Sequence, residues 1–568
     1  MIIQAIVNIA EICAQHGITQ AVICPGSRSA AITLAFARHP KISTFVIPDE
    51  RSAGFIALGM AQSSAFPVVI ICTSGTAVAN LYPAIIEAFY QQVPLIVLTA
   101  DRPPEWIDQK DGQTIRQQNI FQHHIRSSFQ FPVSFEQEDA VWHAERIVSE
   151  AIILSNGKTK GPVHINIPIR EPFYPSQDET FHYSKSIKII KAPILNTSLT
   201  ESQKTELIKE VKKFGKIMVL AGQHPINKKV IEFLNNIQKH LKWVIIGDVI
   251  SNIHHLEHSI IHHDIILGDP EEATDLKPDL LLSFGNSVLS KQLKSFIRSN
   301  TPAQHWHIEE NETVVDTFNS LTKKIPSGPE PFFKLFIGNQ LELSKTQNDY
   351  FNHWKEKDVQ ANLFLGSYLA RNERSEFHVV KTVLANLPSF STLHLANSMP
   401  VRYVNYLGID PQKEISVWSN RGTSGIDGCL STVVGHAHNS SSIHTLITGD
   451  MAFFYDRNAL WHNHIPANLR IVILNNHGGG IFRLINGPKE LEELEEFFEM
   501  KQKLNAANTA RDFGMNYYTI KTMSVLPDML EKFFSEKSGA SILEIETDPK
   551  LNQKVFEEFK HKSKQLWK

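Results

Sequence analysis

Cysteine is scarce: Cys13, Cys24, Cys72 and Cys429 are the only four in 568 residues, and no two stand in CxxC spacing. That scatter excludes a disulfide framework and a zinc ribbon, and it fits a reducing, cytoplasmic setting. An excess of charge is also missing, since 56 Lys and Arg nearly balance 59 Asp and Glu. A whole-surface basic footprint for nucleic acid is thereby excluded. No uninterrupted apolar run reaches the roughly 18 residues that a membrane-spanning helix needs. The chain start lacks a basic segment and a small-residue cleavage site. Instead Ile3, Ile6, Val7, Ala10 and Cys13 recur at helical spacing, which predicts an amphipathic helix rather than a signal peptide.

What is present is ordinary globular composition, 42% hydrophobic and 20% charged. At about 150 residues per domain the length predicts about three or four domains. Short β-branched runs alternate with helical periodicity, the pattern of an α/β fold whose domains each hold a parallel sheet flanked by helices. The expected domains are 1–175, 198–340 and 355–568. The first closes with a strand and a Pro-rich exit in 161–172, and a polar linker follows over 174–198. Strands at 217–220, 243–246 and 280–284 mark the middle domain, which shows no Gly-rich nucleotide fingerprint and is expected to be mainly structural, with Ser290 and Lys291 reaching toward the site. Residues 340–375 read as a charged linker and then a helix, with the next helix around 379–387.

The stretch 447–480, ITGDMAFFYDRNALWHNHIPANLRIVILNNHGGG, is the one around which the rest is arranged. It reads as a strand ending at Gly449-Asp450, a helical segment, and a strand ending at Asn475-Asn476. A right-handed crossover makes the two strands parallel, so Asp450 and Asn476 emerge at one carboxyl edge. A carboxylate and an amide oxygen suit Mg²⁺, and the Gly478 carbonyl offers a third oxygen where Gly478 to Gly480 let backbone approach a diphosphate. No GK[ST] follows, so this is not a Walker loop, and it is not a GxGxxG fingerprint.

Other strand ends carry chemistry too. Strand 20–24 runs into Pro25-Gly26-Ser27-Arg28-Ser29, small residues that expose N–H groups at a helix start beside a bidentate donor. Strand 44–47 leads to Pro48-Asp49-Glu50 and a helix over 51–62, which either acid can cap. Strand 68–72 delivers Thr73-Ser74-Gly75-Thr76 into the helix holding Asn80 and Glu87, and strand 93–100 ends at Asp101-Arg102 ahead of a polar loop with Gln113. Farther on, strand 392–395 ends in Ala396-Asn397-Ser398, with Arg402 one helical turn beyond. Strand 415–418 gives Ser419-Asn420-Arg421-Gly422, after which residues 423–428 (TSGIDG) open a helix.

The pair Gly449-Asp450 and Asn475-Asn476 at this separation resembles the diphosphate and metal motif of thiamine-diphosphate enzymes, with Met451 where that family usually has glycine. Glu50 followed by Thr73-Ser74-Gly75 is similar to the same family's pyrimidine-binding domain. The strings CPGSRS, TSGTAVANLYPAIIEA, TADRPPE and GQTIRQ resemble its menaquinone-biosynthesis branch over most of the first and last thirds. The resemblance implies the thiamine-diphosphate-binding fold and, as cofactors, thiamine diphosphate with Mg²⁺ or Mn²⁺ on Asp450, Asn476 and the Gly478 carbonyl. It implies cofactor contacts from Ser74, Gly75, Ser424 and Gly449, with Ile426 wedged beneath the cofactor. Glu50 would hold the pyrimidine ring nitrogen, a task suited to a buried carboxyl titrating above about 4.3. Because relatives join the two cofactor domains across a subunit interface, Glu50 would serve the neighbouring chain, in a homodimer or a homotetramer built from it.

The same resemblance implies a transferase that decarboxylates 2-oxoglutarate and adds the succinyl unit to isochorismate. Both substrates are dicarboxylates, for which Ser27, Arg28, Arg102, Gln113, Lys291, Ser398, Arg402 and Arg421 supply donors. Arg102, Gln113, Ser398 and Arg402 would stand beside the reacting atoms with Glu50. Another thiamine-diphosphate carboligase or 2-oxo acid decarboxylase shares Asp450, Asn476 and Glu50 but has less use for the arginines. A catalytically silent scaffold predicts loss of Glu50 or the metal ligands, and all are retained.

Overall fold

The β-branched runs form the strands of three parallel sheets in the computed structural model, which describes residues 2–567 except 172, 177, 178, 194–198, 339, 340, 372, 536 and 538. The expected exit at 172 and the domain bounds expected at 198 and 340 lie outside the described residues. The first sheet holds β1 (Gln20–Ile23), β2 (Ser43–Val46), β3 (Val68–Cys72), β4 (Leu95–Asp101), β5 (Ser128–Gln130) and β6 (Val163–Pro168) in the order β2-β1-β3-β4-β6-β5. The second holds β7 (Ile217–Ala221), β8 (Val244–Gly247), β9 (Leu280–Phe284), β10 (Gln304–Ile308) and β11 (Lys323–Ile325) in the order β11-β10-β9-β7-β8. The third holds β12 (Thr392–Leu395), β13 (Ser416–Trp418), β14 (His444–Gly449), β15 (Leu469–Asn475), β16 (Asn516–Thr519) and β17 (Ser541–Glu546) in the order β13-β12-β14-β15-β17-β16.

Numbered within itself, the third sheet repeats the strand order of the first, although no internal sequence repeat announces it. In both, the order reverses between the first and third strands, and a parallel α/β sheet takes ligands at the carboxyl ends beside such a reversal. The central strands β3 and β15 are buried along their whole length, as a parallel sheet covered on both faces requires.

The chain divides into two compact units. One comprises Met1–Leu195, Asn420–Ser441 and Ala452–Leu469; the other comprises Asn196–Ser419, Ser442–Met451 and Arg470–Lys568. The second and third sheets share a single apolar core within the second unit, where Leu220, Ile246 and Leu281 join Val383, Leu395 and Leu474. The stretch read as a charged linker and then a helix is mostly helix, the 24-residue Lys345–Tyr368, capped by the Ser344 hydroxyl. Its polar majority masks an apolar stripe, Tyr350, Phe351, Trp354, Ala361 and Leu365, all buried. The helix expected to open at residues 423–428 begins later, at Cys429, and those six residues form a loop. The helical segment after β14 also stops early, at Tyr455, and a 3₁₀ turn Arg457–Leu460 follows. Among the described residues no helix is long and apolar enough to cross a membrane.

Within the first unit the helices Glu50–Ser64 and Cys429–His438 touch backbone to backbone. A Cβ on Gly59 would lie 2.1 Å from the Thr432 carbonyl oxygen, and one on Gly435 would lie 2.0 Å from that of Ile56. No side-chain rotation relieves such a clash, so Gly435→Ala must separate the helices. Overpacking costs typically 1–3 kcal/mol, and we expect this variant at or above about 3 kcal/mol. Thermal unfolding checks it; a melting temperature equal to wild type would rule out the close crossing.

Candidate active site

In the first unit the segments after β1 to β4 bring Ser27, Arg28, Glu50, Ser74, Gly75, Arg102 and Gln113 to the carboxyl edge of one sheet. A Cβ on Gly26 would stand 2.3 Å from Thr73, so only glycine lets the turn after β1 lie against the turn after β3. Ser27 pairs with the Tyr174 hydroxyl at 3.2 Å. Arg28 is buried, donates to the Ile169 carbonyl at 2.9 Å and stacks 4.3 Å from the Phe173 ring centre, with Glu171 at 3.7 Å.

Asp49, not Glu50, caps the helix after β2, accepting from the N–H groups of Arg51 and Ser52 at 2.9 and 3.2 Å. Glu50 is the first helical residue and half-buried. Burial, and then the neighbouring Asp49 charge, push its carboxyl above the usual range against the pull of its own backbone N–H.

After β3 the Ser74 hydroxyl is buried without a hydrogen-bond partner among the described residues. Gly75 has φ +82° and packs against the backbone of Gln113, where a Cβ would meet Gln113 Cα at 3.2 Å. Gln117, buried, accepts from the Gly75 N–H at 2.9 Å and donates to the Ala100 carbonyl at 3.0 Å, which ties that loop to β4. Arg102 donates to the Gly112 carbonyl at 2.8 Å and lies 3.3 Å from Asp111. Ser74, Gly75, Arg102 and Gln113 therefore share one corner of the sheet.

A contact not foreseen from the sequence holds Arg421 and Ser424. The buried Glu87 carboxylate accepts from the Gly422 N–H at 2.8 Å and from the Thr423 N–H and hydroxyl at 2.7 and 2.6 Å. Ser424 then adopts φ +62°, and Ile426 sits half-buried before Gly428 turns the chain into its helix.

In the second unit Asp450 follows β14 and Asn476 follows the adjacent β15, as the crossover argument expects. Asp450 is buried, its carboxyl pushed up to about 6 by burial, and it accepts from the Gln502 amide at 2.6 Å. Asn475 turns inward to Glu544 at 2.7 Å. Asn476 donates to Glu376 at 2.6 Å, while its Oδ1 is buried with no partner among the described residues. The fully buried Glu376 is itself pushed up to about 7, first by burial. A Cβ on Gly478 would fall 2.8 Å from the Glu499 carbonyl oxygen, so the chain approaches closely here, and the Gly478 carbonyl accepts from Gly480 at 3.0 Å. An unpartnered amide oxygen beside a buried carboxylate is a donor set that a divalent cation fits.

Ser398 lies between β12 and the helix Met399–Leu407 with φ +77° and ψ −130°, a strained geometry for a residue bearing a Cβ. Arg402, one turn into the next helix, donates back to the Ser398 carbonyl. Lys291 opens the helix Lys291–Ser299, whose N-cap Ser290 donates to Asp264. Asp264 also accepts from Asn405 at 2.8 Å, so one buried polar cluster joins the helix that Lys291 opens to the helix Met399–Leu407 that carries Arg402.

Residues 6–125 match the N-terminal thiamine-pyrophosphate-binding domain of thiamine pyrophosphate enzymes, and residues 191–395 match their middle domain. The chain is 46% identical over 560 residues to 2-succinyl-5-enolpyruvyl-6-hydroxy-3-cyclohexene-1-carboxylate synthase of Cytophaga hutchinsonii, covering 98% of both chains. It is 38% identical to the synthase of the same name from Flavobacterium psychrophilum, covering 96% of both, and 36% identical to that of Porphyromonas gingivalis, covering 96% of this chain and 94% of the other. With parallel α/β sheets, the strand-end residues at their expected edges and likeness over nearly its full length, the chain belongs to the family of thiamine-diphosphate-dependent 2-succinyl-5-enolpyruvyl-6-hydroxy-3-cyclohexene-1-carboxylate synthases.

Proposed function

We propose that the protein decarboxylates 2-oxoglutarate and adds the succinyl unit to isochorismate, a step of menaquinone biosynthesis. The observation that carries this reading is the near-full-length likeness to synthases of that name. Thiamine diphosphate, when bound, supplies the carbon nucleophile and the sink for the electron pair released with CO₂. Asp450, Asn476 and the Gly478 carbonyl hold Mg²⁺ or Mn²⁺, a role supported by the unpartnered Asn476 Oδ1. Ser74, Gly75, Ser424, Ile426 and Gly449 hold the cofactor, the buried Ser74 hydroxyl having no partner among the described residues.

Glu50 holds a proton against the pyrimidine ring nitrogen, a role in keeping with a carboxyl that burial moves above its usual range. Ser27, Arg28, Arg102, Gln113, Lys291, Ser398, Arg402 and Arg421 bind and orient the two dicarboxylates. Two chains pair so that Glu50 of each serves the other's cofactor, and the domains run as 1–175, 198–340 and 355–568.

The test is an assay of purified protein with thiamine diphosphate and Mg²⁺, following isochorismate. We expect isochorismate to disappear only when 2-oxoglutarate is present. Release of CO₂ with isochorismate untouched would remove the acceptor from the reading and leave the cofactor.

A further inference from the structure

In the second unit a cavity of about 130 Å³ opens beside Arg402 and Lys291, and a third cation enters it from the far end of the chain, Lys560. Lys560 lies on the helix Pro549–Gln565, whose start is fixed by Asp548 accepting from Lys550 and Leu551 at 2.7 and 2.9 Å. It follows Phe556 by one helical turn, hence on the same face, and its ammonium sits 4.8 Å from the Phe556 ring centre. Two residues on, Lys562 is paired with Glu558 at 2.6 Å. Lys560 is half-buried, and its ammonium makes no hydrogen bond or ion pair among the described residues.

The cavity holds one carboxylate to set against three cations, Asp264, and its oxygens already accept from Ser290 and Asn405. Burial, with the charges of Arg402 and Lys291, holds the Lys560 ammonium below the usual lysine range, while Asp264 pulls the other way. Three cations around a small cavity repel one another; Lys291 stays exposed, half-buried Arg402 keeps the Ser398 carbonyl as an acceptor, and the half-buried Lys560 ammonium loses hydration with no acceptor among the described residues. A bound carboxylate relieves both costs through charge-assisted hydrogen bonds. Met399, Ile481, Leu484 and Phe556 supply apolar wall, which favours an anion carried on a carbon framework over a bare inorganic one.

We propose that Lys560 binds a substrate carboxylate, completing with Lys291 and Arg402 a three-cation subsite that selects an organic dicarboxylate. The inference rests on the functional reading above and adds to it a residue from the C-terminal helix. Either the 2-oxo acid or the cyclic acceptor can bring that carboxylate, and the kinetic arms tell them apart.

Lys560→Met keeps the stem over Phe556 and removes the charge; Lys560→Gln is the second variant should the first fold poorly. With each, the KM for 2-oxoglutarate and the KM for isochorismate are measured separately. A charge-assisted bond predicts a rise of about tenfold to a hundredfold in one of them, with kcat changed far less, and recovery in Lys560→Arg. The substrate whose KM rises is the one whose carboxylate sits there. Succinate, a plain dicarboxylate, is titrated calorimetrically into the same proteins without turnover, and weaker binding by the charge-free variants supports the subsite even if isochorismate proves not to be the acceptor. Unchanged KM for both substrates and unchanged succinate binding, in a variant that melts like wild type, would overturn the proposal.

Discussion

Glu50→Gln lowers turnover by roughly 10²–10⁴-fold, the span expected for loss of a positioned proton-transfer group, while the protein folds and still takes up thiamine diphosphate. Glutamine matches glutamate in shape, and Asp49 rather than Glu50 caps the helix, so the substitution leaves the helix start intact. What it removes is a carboxyl that burial already inclines toward its protonated form. Steady-state turnover beside a cofactor-binding isotherm makes the check. Loss of affinity without loss of turnover would make Glu50 a binding residue, and less than a tenfold fall in turnover would remove it from the proton path.

Asp450→Ala abolishes the metal-dependent stabilisation of the protein by its cofactor. A ligand at a hundred times its Kd stabilises a folded protein by about 2.7 kcal/mol, so thiamine diphosphate with Mg²⁺ raises the wild-type melting temperature and a chelator reverses the rise. Asp450 is buried, and its carboxyl, pushed up to about 6, is an unfavourable charge at neutral pH that a divalent ion offsets. Removing it therefore does little harm to the ligand-free protein, and the lost response to Mg²⁺ is separable from misfolding. A variant that keeps the full response would mean that the ion is held elsewhere.

The carboxyl-edge residues were readable because each needs only its own strand and the turn behind it. Asp450, Asn476, Ser74 and Ser398 each fall within three residues of a strand's end. Their supports were not readable, because they come from remote sequence. Glu87 holds Gly422 across 335 positions, Glu376 meets Asn476 across 100, and Gln502 reaches Asp450 across 52. No local pattern marks such pairs; Glu87 reads simply as an acid on a helix. The early start of the Lys345–Tyr368 helix was obscured for another reason, since charged residues outnumber the stripe that packs. Lys560 escaped notice because a lysine near a chain end is ordinarily a solvated one.

The glycine crossing between helices Glu50–Ser64 and Cys429–His438 also bears on synthesis. Gly435 leaves the ribosome 376 residues after Gly59 (435 − 59). At 5–20 residues per second the earlier helix waits about 20–75 s for its cover. During that interval a nascent chain displays a bare, small-residue helix face, a natural station for a chaperone. Slow codons between the first and last thirds should then lower soluble yield without altering a single contact of the finished molecule.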